Sequence, residues 1–216
     1  EQGFELGPDT EINTFSGIRL GAVDAIGFKD GSSFGGMGAI EGQLSDGEAI
    51  YEMAPERLTG SIKLFGASLK DYVSDEGAGQ SDISLYGNVV DMTTSAVTTI
   101  GGANINLQAN TLSMKQFTGL EAISPRGGEG GDINVGVDDL ILNEAGIRTT
   151  SLGGQGGDVN IDVNSMSTVN GKIQASNYYN IYNVTRYDQT GDINITATDS
   201  FINESLQLQV TSYTPG

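Results

Sequence analysis

Three aspartates recur in one setting. Asp132, Asp158 and Asp192 each follow a glycine and open a pentad of alternating apolar and amide residues: Gly131-Asp132-Ile133-Asn134-Val135, Gly157-Asp158-Val159-Asn160-Ile161 and Gly191-Asp192-Ile193-Asn194-Ile195. If the pentads stack as neighbouring strands, the carboxylates lie roughly 5 Å apart. Charges at that distance repel by about 1 kcal/mol in water and several-fold more near a protein surface. Either each carboxylate accepts turn N–H groups and splays into solvent, or cations bridge them. One carboxylate per repeat is poor provision for Ca²⁺, which takes about six to eight oxygens in a tight site. Asp132, Asp158 and Asp192 are therefore expected to hold Ca²⁺ weakly at most, and no other cofactor is indicated.

Two glycine-rich stretches, 127–135 and 153–161, resemble a Ca²⁺-binding nonapeptide of the RTX type. That pattern wants a large apolar residue at its eighth position, where these stretches carry Asn134 and Asn160, and it must run in tandem. They read instead as glycine turns leading into strands. The pair Asp138-Asp139 suggests glycosidase chemistry, which uses two carboxylates. Adjacent residues of an extended strand point to opposite faces, so the pair is not expected to converge. The five arginines (Arg19, Arg57, Arg126, Arg148, Arg186) are scattered. There is no His, the usual general base, and no Cys, which excludes disulfides and thiolate metal sites. The chain is expected not to be an enzyme. Three or more charged side chains converging in a groove on one sheet face would favour a polysaccharide-acting enzyme instead.

A third cluster is aromatic. Tyr178, Tyr179, Tyr182 and Tyr187 stand with Arg186 in one short stretch that holds four of the chain's 8 tyrosines. Tyr combines flat apolar area with a hydrogen-bonding tip, as surfaces that bind sugars or proteins require. These five residues are the candidate binding site. The alternative is a loop folded back over the body with its rings covering apolar edges.

The elements that position these residues come from a repeat. The first apolar residues of the copies are Ile18, Ile62, Ile83, Ile105, Ile133, Val159 and Ile193, with spacings of 44, 21, 22, 28, 26 and 34. The first spacing is twice 22, which predicts a degenerate rung near Ile40. A unit of this length suits one turn of a solenoid made of three short strands and their turns. Period two places Ile133 and Val135 inward and Asp132 and Asn134 outward. A second phased feature is Asn143, Asn170 and Asn203, each closing a short apolar run; Asn tolerates left-handed backbone and suits a corner. The expectation is an all-β, right-handed parallel β-helix with rungs of about 21–34 residues. It forms a single domain over 1–216, with irregular or degenerate rungs over 1–59 and regular repeats over 60–216. A loop insertion leaves the longest rung near 178–187. Ser45 and Glu48 offer a cap for a short helix ended by Pro55.

The Gly-Gly-Asp-Ile-Asn-Val units with their trailing Asn resemble the repeats of filamentous-haemagglutinin-like bacterial exoproteins, large adhesins of which many use two-partner secretion. The resemblance covers roughly residues 100–216 well and 16–99 loosely. It implies a shaft segment at the cell surface, structural or adhesive, without catalytic residues. The Asn-Pro-Asn motifs of that family's secretion domain have no counterpart here, so the implied piece is shaft and not export module.

Bulk properties agree. Lys plus Arg is 10 against 28 Asp plus Glu, a net charge of −18, which repels nucleic acid and anionic lipid. No apolar run reaches the length of a membrane helix, and the opening Glu-Gln-Gly-Phe-Glu-Leu lacks a signal-peptide pattern. Neither nucleic acid nor membrane insertion is expected. The expected partners of such a secreted, extracellular chain are a glycan or protein of a host or neighbouring cell, or copies of itself in a filament.

Overall fold

The computed structural model describes residues 3–15, 17–22, 25–28, 33–35, 49–50, 60–72, 82–125, 129–152, 154–178 and 190–213. Among them every regular element is a strand. In chain order these are β1 (Gly3–Leu6), β2 (Glu11–Thr14), β3 (Ile18–Ala22), β4 (Ala25–Phe28), β5 (Ser33–Gly35), β6 (Ala49–Ile50), β7 (Ser61–Phe65), β8 (Ser68–Tyr72) and β9 (Ile83–Thr93). There follow β10 (Ala96–Ile100), β11 (Ile105–Lys115), β12 (Gly119–Ser124), β13 (Ile133–Asn143), β14 (Gly146–Leu152), β15 (Val159–Val169), β16 (Lys172–Tyr178), β17 (Ile193–Glu204) and β18 (Gln207–Tyr213). No helix is long and apolar enough to cross a membrane among the described residues.

Two parallel sheets carry the architecture. One runs β1-β7-β9-β11-β13-β15-β17, with β3 also paired to β9; the other runs β18-β16-β14-β12-β10-β8-β2. The chain alternates between them, so each rung adds one strand to each sheet, and the result is a parallel β-solenoid. The register is in step: Ile83, Ile105, Ile133, Val159 and Ile193 are successive partners. The first four are 0 % exposed, and Ile193, on the last described rung, packs partly buried against the same core. Each such burial contributes about 1.5–3 kcal/mol.

The long strands hide a bend. In β11, Ile105, Leu107 and Ala109 are buried, then Leu112 and Met114. The inward parity therefore switches at Asn110-Thr111. The pairing to β13 steps from Ala109↔Val137 to Thr111↔Asp139, leaving Asn110 and Asp138 outside it. Each rung thus has three straight segments. The first two join through one corner residue, and the third is supplied by β10, β12, β14, β16 or β18. Asp138 and Asp139 sit on this bend and both face solvent, contrary to the opposite orientation expected of a straight strand.

The corner into the third segment is a left-handed residue. Gly66, Thr94, Glu144, Asn170 and Ser205 have φ of 62°, 51°, 53°, 52° and 67°. That conformation disfavours side chains, and stacking holds it: the N–H of Thr94, Glu144 and Asn170 each donates to the carbonyl at the end of the next rung's strand, on Lys115, Val169 and Glu204. Of the three asparagines expected at this corner, only Asn170 occupies it. Asn143 pairs with Val169 as the last residue of β13. Asn203 falls one step earlier, opposite the buried Thr168, because β17 carries a bulge after the partner of Val163.

The amino-terminal rungs also differ from expectation. Ile18 pairs directly with Ile83, whereas Ile62 pairs with Val90 and so belongs to the second segment. The spacing of 44 is therefore not two rungs; Ile40 itself lies outside the described residues. Gly60 donates its N–H to the Ala22 carbonyl and accepts from Asn88 N–H at 2.7 Å. It fills the single-residue corner, and the chain between 22 and 60 is an excursion from that corner. Within the excursion β4 pairs antiparallel with β5 and β6. Ala49-Ile50 is thus strand where a short helix was expected.

Glycine is required where rungs touch. A Cβ on Gly131, Gly157 or Gly191 would run into the backbone of the preceding rung, at Ala103, Gly131 and Gly157 respectively. At Gly136 a Cβ would meet nothing. Gly157→Ala is expected to destabilise the fold by at least about 2 kcal/mol. Gly136→Ala should be neutral or stabilising by up to about 1 kcal/mol. Urea denaturation of the two variants measures the contrast.

Candidate functional site: an amide-lined outer face

The repeated aspartates are bonded to the next rung. Asp132 Oδ1 accepts the Asp158 N–H at 2.8 Å, and Asp158 Oδ1 accepts the Asp192 N–H at 2.8 Å. The column begins earlier, with Asp82 Oδ1 accepting Asn104 N–H at 2.9 Å and Asn104 Oδ1 accepting Asp132 N–H at 2.8 Å. Asn104 does the same work without charge, so the role is that of a hydrogen-bond acceptor. No group of three or more acidic side chains is placed to hold a metal ion among the described residues.

Two residues further on runs an amide ladder. Asn134 Nδ2 donates to Asn106 Oδ1 at 3.0 Å, Asn160 to Asn134 at 3.0 Å and Asn194 to Asn160 at 2.9 Å. A second ladder follows the bend. Asn110 Nδ2 donates to Asn88 Oδ1 at 2.7 Å, Asn164 to Asp138 at 2.8 Å, and Thr198 Oγ1 to Asn164 Oδ1 at 3.1 Å. Beside it the Ser165 hydroxyl donates to Asp139. The second ladder escaped the sequence reading, although its signal is present: a polar residue stands five positions after Ile83, Ile105, Ile133, Val159 and Ile193.

Between the ladders lies a shallow trough of about 700 Å³ along the first segments of several rungs. Its floor is lowest at Gly136, with Gln108 and Asp162 as that residue's strand partners. Tyr86 lies at its amino-terminal end. The lining mixes amides and the carboxylates of Asp138 and Asp162 with apolar surface from residues such as Leu107, Val135 and Ile161, so the trough offers hydrogen-bond donors and acceptors beside apolar area.

The outer face of the third segments differs. A depression there is lined by Phe117, Glu121, Glu144, Arg148 and Lys172. Arg148 and Glu121 are paired at 2.8 Å, a partly solvated pair of the kind worth little to stability.

Of the tyrosine cluster, Tyr178 is described. It is the last residue of β16, pairs with Tyr213 and is 38 % exposed. Asn177 before it is buried and donates to the Gly154 carbonyl at 2.8 Å, which fixes the end of β16. Tyr179, Tyr182, Arg186 and Tyr187 lie outside the described residues.

No family model, curated protein or solved structure matches the chain.

Asp158→Asn should keep the bond to Asp192 N–H and leave stability equal or slightly raised, because like charges are removed. Asp158→Ala should cost about 1–3 kcal/mol by leaving that amide without its acceptor. Millimolar Ca²⁺ should move the melting temperature of the parent chain by no more than about 2 °C, since each rung offers one carboxylate, already engaged. Thermal melts with and without Ca²⁺ test all three statements.

Proposed function

We propose that the chain is a structural and adhesive shaft segment of a secreted bacterial surface protein, acting outside the cell and without catalysis. The observation that carries this reading is the axial order of the stacked rungs among the described residues, kept on both sides of the bulge in β17. Rungs pair in register on both sheets, and side-chain ladders repeat the backbone ladder on the outer surface. Such a rod transmits load and holds its loops at fixed positions. The resemblance of the pentads to filamentous-haemagglutinin-like repeats supports the same reading. Right-handed winding belongs to it, because parallel crossover connections are almost always right-handed.

The binding surface in this proposal is the loop after Tyr178, with Tyr179, Tyr182, Arg186 and Tyr187, meeting a glycan or protein of a host or neighbouring cell. The stretch before the next rung is the longest among the regular repeats, and rigid aromatic area with one guanidinium fits a sugar face or an acidic partner. Replacing 179–187 by a short glycine turn while keeping Tyr178 in its strand should leave the melting temperature nearly unchanged. It should remove attachment of protein-coated beads to cultured cells. Attachment that survives the replacement would place the adhesive surface elsewhere.

Two observations support rival readings. Phe201, Leu208 and Val210 stand at inward positions of the last described rung, yet are 49 %, 57 % and 53 % exposed. β17 and β18 are paired on one side only among the described residues. A self-assembling filament subunit is the alternative reading, since parallel solenoid rungs can stack end to end, and for it sedimentation should show growth with concentration. The charged depression at Glu121, Glu144, Arg148 and Lys172 favours a polysaccharide-acting enzyme. Release of reducing ends from plant or bacterial polysaccharides, lost in Glu144→Gln, would establish it.

A further inference from the structure

We infer that the trough over Gly136 binds a linear, neutral glycan lying along the solenoid axis. The inference rests on the adhesive reading for its biological sense and adds to it a separate sugar contact on the shaft, beside the contact proposed for 179–187. Asn134 and Asn160 each use one N–H toward the previous rung and one lone pair toward the next. An asparagine side chain has two donors and two acceptor lone pairs, so one N–H and one lone pair per rung are left for a ligand. Hydroxyl groups donate and accept at once, which matches that residual pattern. These amides recur at the strand spacing of about 4.8 Å, so a polymer with a regular repeat meets the same partners at every rung.

Shape and charge narrow the ligand further. At the middle of the trough Gly136 carries no side chain, and a Cβ there would touch nothing. The neighbouring rungs place Gln108 and Asp162 at the same register, so the gap is local and flanked by hydrogen-bonding groups. Tyr86 at one end offers a ring against which a pyranose can lie. Asp138 and Asp162 line the wall, and the chain carries −18 overall, which disfavours uronic-acid polymers. An extended peptide is a poor fit because it would pair through a sheet edge, and the trough lies on a sheet face.

Calorimetric titration of the full chain with cellohexaose, chitohexaose and mannohexaose tests this, with a galacturonic-acid hexamer as the anionic comparison. At least one neutral oligosaccharide should bind saturably and the anionic one should not. Gly136→Ile fills the gap with a strand-favouring residue and should weaken that binding at least about tenfold at unchanged melting temperature. The chain with 179–187 replaced should still show saturable binding of that oligosaccharide, and Gly136→Ile should weaken it there too. The side-chain amide NMR signals of Asn134 and Asn160 should shift during titration, a readout that needs no variant. Absence of saturable binding by all three neutral sugars overturns the inference, as does equal binding by a folded Gly136→Ile chain. If coated beads still attach to cells in either case, the adhesive reading stands and the trough alone is refuted. Sugar binding lost on loop replacement but kept in Gly136→Ile also refutes the trough and returns the contact to the loop.

Discussion

A parallel rung cannot satisfy its own backbone. Every strand N–H and carbonyl must find its partner on the rung before or after, so all three segments must stay in register together. Close approach is the condition for this. Gly131, Gly157 and Gly191 meet the requirement by removing the Cβ that would strike the preceding rung. The aspartate and asparagine ladders then repeat the backbone's arrangement with side chains, each accepting from or donating to its equivalent one rung away. Left-handed corners at Thr94, Glu144 and Asn170 are tolerated because the same stacking bonds their N–H groups.

This constraint explains what was legible in the sequence. The pentads at Ile105, Ile133, Val159 and Ile193 show their period because glycine, acceptor, apolar and amide positions are all demanded at once by neighbours in register. Where fewer demands coincide, legibility falls. Gly60-Ser61-Ile62-Lys63-Leu64 has the right alternation but lies on the second segment, since period two fits any face of the solenoid. The bend at Asn110, Asp138 and Asn164 was missed because a parity switch needs only one extra outward residue, and alternation resumes at once. Asn203 was misplaced by the bulge in β17, which nothing local announces.

The candidate site follows the same division. The Asp132, Asp158 and Asp192 column was visible, and its chemistry turns on what the next rung presents: a backbone N–H that occupies the carboxylates of Asp132 and Asp158, as one occupies the Asn104 amide oxygen at the same place without charge. The trough was invisible as a site because its components are an absence, the missing side chain of Gly136, flanked by amides that look merely structural. Its recognition depends on knowing that the two ladders lie on one face. The tyrosine cluster is the opposite case, conspicuous by composition and tied to the rungs through Asn177 and Tyr178.

The central claim is the rung register itself, and an engineered disulfide tests it most directly. The chain has no cysteine of its own, so a pair introduced on the outer face reports without interference. Asn134 and Asn160 are direct strand partners, within the roughly 4.4–6.8 Å Cα separation that a disulfide bridges. Asn134 and Asn164 differ by four residues along the neighbouring strand, roughly 13 Å. Asn134→Cys with Asn160→Cys should oxidise readily to an intramolecular disulfide, seen as a mobility shift and a two-proton mass loss, while Asn134→Cys with Asn164→Cys should remain reduced. Equal crosslinking of both pairs, or crosslinking of the second alone, would contradict the register and the solenoid built on it.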